Sequence, residues 1–141
     1  MDRLIILCCI VAFCTCTDLS AQSKHSKNQF AGCYDVVAVS SPEGGVPHHF
    51  ELTNEPTKFG THWLQVKADT ADTAPARTHH LWSSKRDGVK VIFGWGLGGW
   101  EGKLKPDQTN DLVGKLTNFC DSKCSPKQVV TVRARRVECA K

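Results

Sequence analysis

Apolar and polar residues alternate in short stretches along most of the chain, and turn-forming residues separate one stretch from the next. Alternation with a period of two is typical of a β-strand that buries one face. The separators include Asn-Glu-Pro at 54–56, Asp-Gly at 87–88 and Pro-Asp at 106–107, which are typical turn sequences. The pattern predicts eight strands, at residues 33–40, 48–53, 61–69, 78–85, 89–95, 99–105, 111–120 and 128–139.

Eight short strands with no helix between them predict an all-β protein. Hairpin connections give an antiparallel up-and-down order, and closure into a small eight-stranded barrel removes both exposed sheet edges. An open two-sheet sandwich is the alternative. Period two assigns to the inner face Tyr34, Val36, Ala38, Phe50, Leu52, Leu64, Val66, Ala68, Val89, Val91, Phe93, Trp95, Trp100, Gly102, Leu104, Leu112, Gly114, Leu116, Val130, Val132 and Ala134.

The N-terminus has the organisation of a secretory signal peptide. Arg3 precedes an apolar run at 4–12, and a polar stretch then leads to Ala21. The longest apolar run is shorter than the ~20 residues that a membrane-spanning helix needs. We therefore expect residues 1–21 to be cleaved, residues 22–30 to form a flexible leader and residues 31–141 to form one β-barrel domain. Cleavage after Thr17 is the alternative, and lipid modification of Cys16 is left open.

Removal of the signal peptide changes the charge and the cysteine count. The chain carries 18 Lys and Arg against 14 Asp and Glu, and loss of Arg3, Asp2 and Asp18 leaves 17 against 12, a net charge of +5. The positive residues are mostly scattered, which favours acidic partners or surfaces mildly and does not indicate nucleic-acid binding. Four of the eight Cys remain, and an even number in an exported chain predicts disulfides and a secreted or periplasmic location.

Barrel closure predicts how these four cysteines pair. In an even-stranded up-and-down barrel the first and last strands are antiparallel neighbours, so the start of one lies beside the end of the other. We therefore expect one disulfide between Cys33 and Cys139 and a second, local one between Cys120 and Cys124.

The same alternation of faces places Tyr34 and Arg136 inside the barrel at this end. They are expected to form a plug, in which the guanidinium lies over the aromatic ring. The segment 32–34, Gly-Cys-Tyr, resembles the Gly-x-Trp opening of the lipocalins and their calycin relatives, with Tyr in place of Trp. The resemblance implies that Tyr34 packs under a basic residue of the last strand, Arg136, or Arg135 with a bulge. The chain is also similar in length to small exported bacterial protease-inhibitor barrels.

The segment 93–102 is rich in aromatic residues and glycine, and its hairpin is expected at the end of the barrel opposite the plug. His48 and His80 begin strands at that same end. We predict a site there for a small apolar or amphipathic molecule, formed by His48, His80, Phe93, Trp95 and Trp100. Small inner residues are expected to leave room for it, namely Ala38, Ala68, Gly102 and Gly114. The alternative is that the glycines let the barrel bend and the tryptophans fill its core.

No motif in the sequence predicts a reaction or a cofactor. Adjacent histidines at 48–49 and 79–80 point to opposite faces of a strand, so neither pair is expected to chelate a metal. Sequence signatures for a nucleophile elbow, a dinucleotide site, a phosphate loop or a zinc protease do not occur. We expect a non-enzymatic protein with no metal, no cofactor, no nucleic-acid partner and no stable membrane insertion. The alternative to a small ligand is an extracellular or periplasmic protein, bound through loops or an outward Trp63.

If the N-terminal segment directs export, the mature protein begins at Gln22, because Leu19 and Ala21 supply the small or apolar residues expected before the cleavage site. N-terminal sequencing of the exported product checks this. A mature chain that begins at Met1 would contradict both the export hypothesis and the oxidising compartment on which the disulfide hypothesis depends.

Overall fold

The computed structural model describes residues 28–40, 45–69, 78–95, 98–120 and 127–140, except the side chains of Thr78 and Trp95. Eight strands account for most of these residues. They are β1 (Gly32–Val39), β2 (His49–Thr57), β3 (Gly60–Ala68), β4 (Thr78–Lys85), β5 (Gly88–Trp95), β6 (Gly98–Pro106), β7 (Leu112–Cys120) and β8 (Val129–Val137). In the described part of the chain no helix is long and apolar enough to span a membrane.

The eight strands form one closed antiparallel barrel. Each strand pairs with its neighbours in sequence, and β8 pairs with β1, where Tyr34 lies directly opposite Arg136. The up-and-down barrel predicted from sequence is therefore confirmed, and the sandwich is not formed. We call the end that carries Gly32 and Arg136 the base and the opposite end the mouth. The topology places the hairpins β2–β3, β4–β5 and β6–β7 at the base.

Alternation predicts most of the inner face correctly, since inward residues of all eight strands meet in one core. Complete burial stabilises a large apolar side chain by about 1.5–3 kcal/mol, so this cluster is the main source of stability. Its buried members are Phe30, Tyr34, Phe50, Leu52, Val66, Trp82, Val89, Val91, Phe93, Trp100, Leu104, Leu112, Leu116, Val130, Val132 and Ala134, with Val36, Leu64 and Ala68 packed against it.

Ala38 is an exception to the predicted alternation. The register between β1 and β8 shifts between Val36 and Ala38. Such an irregularity inserts an extra residue and reverses the faces beyond it. Val39 therefore packs against the core, whereas Ala38 is exposed. The prediction that Ala38 faces inward was wrong for this reason.

A second irregularity, in β2, determines the position of Trp82. The register between β2 and β3 shifts between Leu52 and Pro56, and proline supplies no backbone N–H to the neighbouring strand. The Trp82 side chain is completely buried, and its Nε1 donates a 2.8 Å hydrogen bond to the carbonyl oxygen of Thr53 within the irregular stretch. A buried indole N–H thus has a partner, as its burial requires.

The β6–β7 turn at the base is organised around one carboxylate. Asp107 Oδ1 accepts hydrogen bonds from the backbone nitrogen and the hydroxyl of Thr109, at 2.8 and 2.7 Å, and from the backbone nitrogen of Asp111 at 3.1 Å. Its Oδ2 accepts a 2.6 Å hydrogen bond from Arg133, which also donates to Asp111 at 3.0 Å. Asn110 adopts a positive φ of 63° in this turn, a conformation that asparagine tolerates better than most residues.

These contacts lower the pKa of Asp107 from 3.8 to about 2, chiefly through the Thr109 hydroxyl and then through the Thr109 backbone nitrogen and the Arg133 guanidinium. A lowered folded-state pKa adds stability above the ordinary pKa, and this stability is lost as the pH falls toward the folded value. We expect the free energy of unfolding of the wild type to fall more steeply from about pH 4 to about pH 2 than that of Asp107→Asn.

Urea denaturation across this pH range measures the difference, and Glu138→Gln, a neutralised exposed carboxylate, is the matched control. Parallel pH profiles for the wild type and Asp107→Asn would contradict the assignment of this carboxylate.

Candidate functional site

The base of the barrel is closed by Arg136 and Tyr34, as the sequence predicts. The guanidinium carbon of Arg136 lies 5.9 Å from the centroid of the Tyr34 ring. Its two terminal nitrogens donate hydrogen bonds to the carbonyl oxygens of Gln29 and Ala31, at 3.0 and 2.7 Å. Arg136 is the direct cross-strand partner of the inward Tyr34, but it is exposed rather than enclosed in the barrel as predicted. A planar guanidinium suits this position, since it can meet a ring and two carbonyls at once.

The segment preceding β1 is part of this closure. Phe30 is only 7% exposed, belongs to the core, and accepts through its carbonyl oxygen a 2.8 Å hydrogen bond from the Tyr34 hydroxyl. The packed part of the chain therefore includes a residue that the sequence places in the leader. The polar composition of 22–29 does not predict the burial of Phe30, because a single apolar residue forms no alternating pattern.

Gly32 lets Arg136 lie close against the backbone. Its φ of +146° is one that other residues rarely adopt, and a Cβ there would stand 3.1 Å from the terminal nitrogen of Arg136. The glycine of the Gly-Cys-Tyr segment is thus explained by contact with the guanidinium.

A line of rings runs through the interior from the base toward the mouth. Tyr34 stacks on Phe50 and Phe50 contacts Phe93, each pair with ring centroids 5.3 Å apart. The imidazole of His80 then meets the edge of Phe93 at 6.2 Å. Such offset and edge contacts are the favourable arrangements of aromatic rings.

The mouth-side interior is more polar than the base-side interior. Phe93 and Trp100 are direct cross-strand partners and are 1% and 3% exposed. Both ring nitrogens of His80 are buried beside them. Asn118, the β7 partner of Trp100, accepts a 2.7 Å hydrogen bond from the backbone nitrogen of Gln128. We call His80, Phe93, Trp100 and Asn118 the mouth layer.

The structure thus brings together three of the five predicted site residues, Phe93, Trp100 and His80. Sequence reasoning missed Asn118, although the alternation that assigns Leu112, Gly114 and Leu116 to the inner face would reach it if extended by one step. An apolar residue indicates an inner face, whereas a polar residue such as Asn118 gives no such signal.

The structure does not show the other two predicted site residues, His48 and Trp95, in the mouth layer. His48 precedes β2 and is exposed, and its carbonyl oxygen accepts a 2.8 Å hydrogen bond from the nitrogen of Val36. Because His48 is exposed, its place in the site stays a prediction. The backbone of Trp95 ends β5, but its side chain lies outside the described part of the structure.

The two inner glycines, Gly102 and Gly114, do not leave the space for a ligand that the sequence predicts. A Cβ on Gly102 would overlap the carbonyl oxygen of Lys115 and stand 2.9 Å from a methyl of Leu116. A Cβ on Gly114 would likewise overlap the Lys103 carbonyl oxygen and stand 3.0 Å from a methyl of Leu104. The neighbouring strand and a leucine side chain occupy each space, so these glycines serve the curvature of the barrel.

A disulfide joins Cys33 and Cys139, with Cα atoms 5.2 Å apart, as predicted from closure. Cys120 is also disulfide-bonded, and its predicted partner, Cys124, lies outside the described residues. Within the described chain, Cys33, Glu51 and Cys139 form a group of metal-ligand types whose donor atoms lie within 4.8 Å of one another. Both sulfur atoms of this group are in the disulfide, so the arrangement does not offer a metal site.

Trp63 points to the outside of the barrel, where Nζ of Lys90 lies 5.7 Å from its ring centroid and the His62 ring lies 5.4 Å away. This is the outward orientation that the sequence analysis associates with a contact surface.

No protein-family model, no curated protein and no solved structure matches the chain. The barrel architecture is therefore established by the strand pairing itself.

Tyr34 is the only tyrosine of the protein, so its ionisation reports on the closed base. Burial raises its pKa above 10.0, and the positive charge of Arg136 opposes this rise. We expect tyrosinate absorbance to appear above the ordinary pKa in the wild type and at still higher pH in Arg136→Met.

An alkaline titration followed by ultraviolet difference absorbance measures both midpoints. Arg135→Met removes the same charge from the neighbouring exposed residue and should leave the wild-type midpoint nearly unchanged. A midpoint that falls in Arg136→Met would mean that the ring has become exposed, and would contradict the view that the other base contacts keep Tyr34 buried.

Proposed function

We propose that the protein is an exported barrel that binds one small amphipathic molecule in its mouth layer. The observation that carries this proposal is the convergence of Phe93, Trp100 and His80 on the inner face, on the mouth side of an otherwise apolar core. Binding sites for small molecules are mostly apolar and contain a few polar groups that orient the ligand, and this layer has that composition.

The closed base supports the same proposal. Arg136, the Tyr34 ring and the Cys33–Cys139 disulfide occupy that end, which leaves the mouth as the side from which a ligand would enter. The distribution of inner side chains agrees, because the base-side interior is filled by large apolar groups such as Trp82, Leu104 and Leu112.

The chemistry of the mouth layer indicates the kind of ligand. Two large aromatic faces suit a flat apolar part, and the imidazole of His80 and the amide of Asn118 suit a single hydrogen-bonding group. A lipocalin-like relationship, inferred from the Gly-Cys-Tyr opening and the basic residue above Tyr34, is part of this proposal. Such barrels bind their ligands from the open end.

We expect phenylnaphthylamine, a neutral and amphipathic fluorescent probe, to bind saturably and to quench tryptophan emission. Trp100→Phe should weaken binding about tenfold, because the smaller ring buries roughly 50 Å² less apolar surface against the probe. Trp63→Phe makes the same exchange on the outer wall and should bind like the wild type. His80→Phe keeps an aromatic ring and removes the hydrogen-bonding nitrogens, so it tests the polar group.

Near-ultraviolet circular dichroism of each variant verifies that the core is intact. The proposal fails if the wild type shows no saturable binding, or if Trp63→Phe weakens binding as much as Trp100→Phe. Either result would favour the alternative of a protein-binding barrel.

A further inference from the structure

The outer wall of β5, β6 and β7 carries a strong excess of positive charge. Four lysines stand on these strands, against a single acidic residue, Glu101; they are Lys90, Lys103, Lys105 and Lys115. Two of them are partly neutralised, since Lys90 pairs with Glu101 at 3.3 Å and Lys105 pairs with Asp87. Lys103 and Lys115 are exposed, and neither forms an ion pair with any described residue.

Three of these lysines form a row across the strands. Lys90 is the direct cross-strand partner of Lys103, and Lys103 is the direct partner of Lys115. Like charges placed directly opposite each other on a sheet destabilise it. The row therefore has an electrostatic cost that the fold itself does not require, because a neutral polar residue would serve equally well at an exposed position.

The two ends of the row carry groups that suit sugars. At one end the Lys90 ammonium lies 5.7 Å from the centroid of the Trp63 ring. At the other end the partner of Lys115 is Thr131. Aromatic faces pack against the apolar faces of sugar rings, and hydroxyls exchange hydrogen bonds with sugar hydroxyls.

We propose that this outer wall binds a linear anionic polysaccharide bearing sulfate or carboxylate groups, with Lys90, Lys103 and Lys115 on successive anionic groups and Trp63 beneath a sugar ring at one end. Neighbouring strands stand about 4.8 Å apart, which is close to the advance of an extended polysaccharide per sugar unit. The row also crosses a convex wall, which a flexible chain can follow and a flat bilayer cannot.

Heparin is the probe for this proposal, and calorimetric titration at several salt concentrations measures its affinity. The double variant Lys103→Gln/Lys115→Gln should bind about tenfold more weakly at physiological salt, and its slope of log affinity against log salt should fall by about two. Trp63→Ala should weaken binding with little change in slope, because stacking releases no counterions.

A charge-matched control comes from Lys58→Gln/Lys67→Gln, which removes two exposed lysines, one from the β2–β3 turn and one from β3. It should keep nearly the full affinity of the wild type. Thermal unfolding provides the folding control: Lys103→Gln/Lys115→Gln should be at least as stable as the wild type, because the substitution removes a like-charge pair.

Equal loss of affinity in the two double variants would overturn the proposal, since the binding would then depend on net charge alone. Binding of single-stranded DNA or of phosphatidylserine vesicles as tightly as heparin, at equal charge concentration, would overturn the choice of a polysaccharide. None of these outcomes bears on the mouth layer, because heparin is too large and too charged to enter it and the phenylnaphthylamine titration is independent of it.

Discussion

Pairing of the first strand with the last is the constraint on which the rest of the structure depends. Without it, β1 and β8 would each present a row of unpaired backbone groups, which is the usual starting point of aggregation in sheet proteins. The seam has two further supports, the Cys33–Cys139 disulfide and the Arg136 contacts with Gln29 and Ala31. A covalent link across 106 residues stabilises the fold by up to about 4–5 kcal/mol through the entropy of the unfolded chain.

The closed wall separates two environments that serve different chemistry. Inside, polarity rises from the base, where Tyr34 has its hydroxyl satisfied by Phe30, to the mouth layer with His80 and Asn118. On the outside, the basic residues near the C-terminus, Arg133, Arg135 and Arg136, do not act as one patch, because they make different contacts. Arg133 binds two aspartates and Arg136 contacts Tyr34 at the base, whereas Lys103 and Lys115, on β6 and β7, form no ion pair with any described residue.

Most of the barrel is predictable from the sequence because successive side chains of a strand point to opposite faces. The face of a residue therefore follows from the residues next to it in the chain. Strand order, closure, the Cys33–Cys139 link and the Tyr34–Arg136 contact all follow from counting residues along strands. The errors occur where a partner strand decides the outcome. The irregularity beyond Val36 turns Ala38 outward. Alternation predicts the inner positions of Phe93 and Trp100, whereas the polar Asn118 gives no comparable signal.

The seam also sets an order of events for a chain that is synthesised from its N-terminus. Hairpins such as β4–β5 involve residues close in sequence and can form as soon as both strands emerge. The contacts between β1 and β8 join the two ends of the domain, and contacts of this length form slowly. Because β8 is the last of the eight strands to be synthesised, the ring stays open, with β1 lacking its second partner, until synthesis of the barrel is almost complete. A chain built in this way depends on protection of one strand edge until β8 is in place.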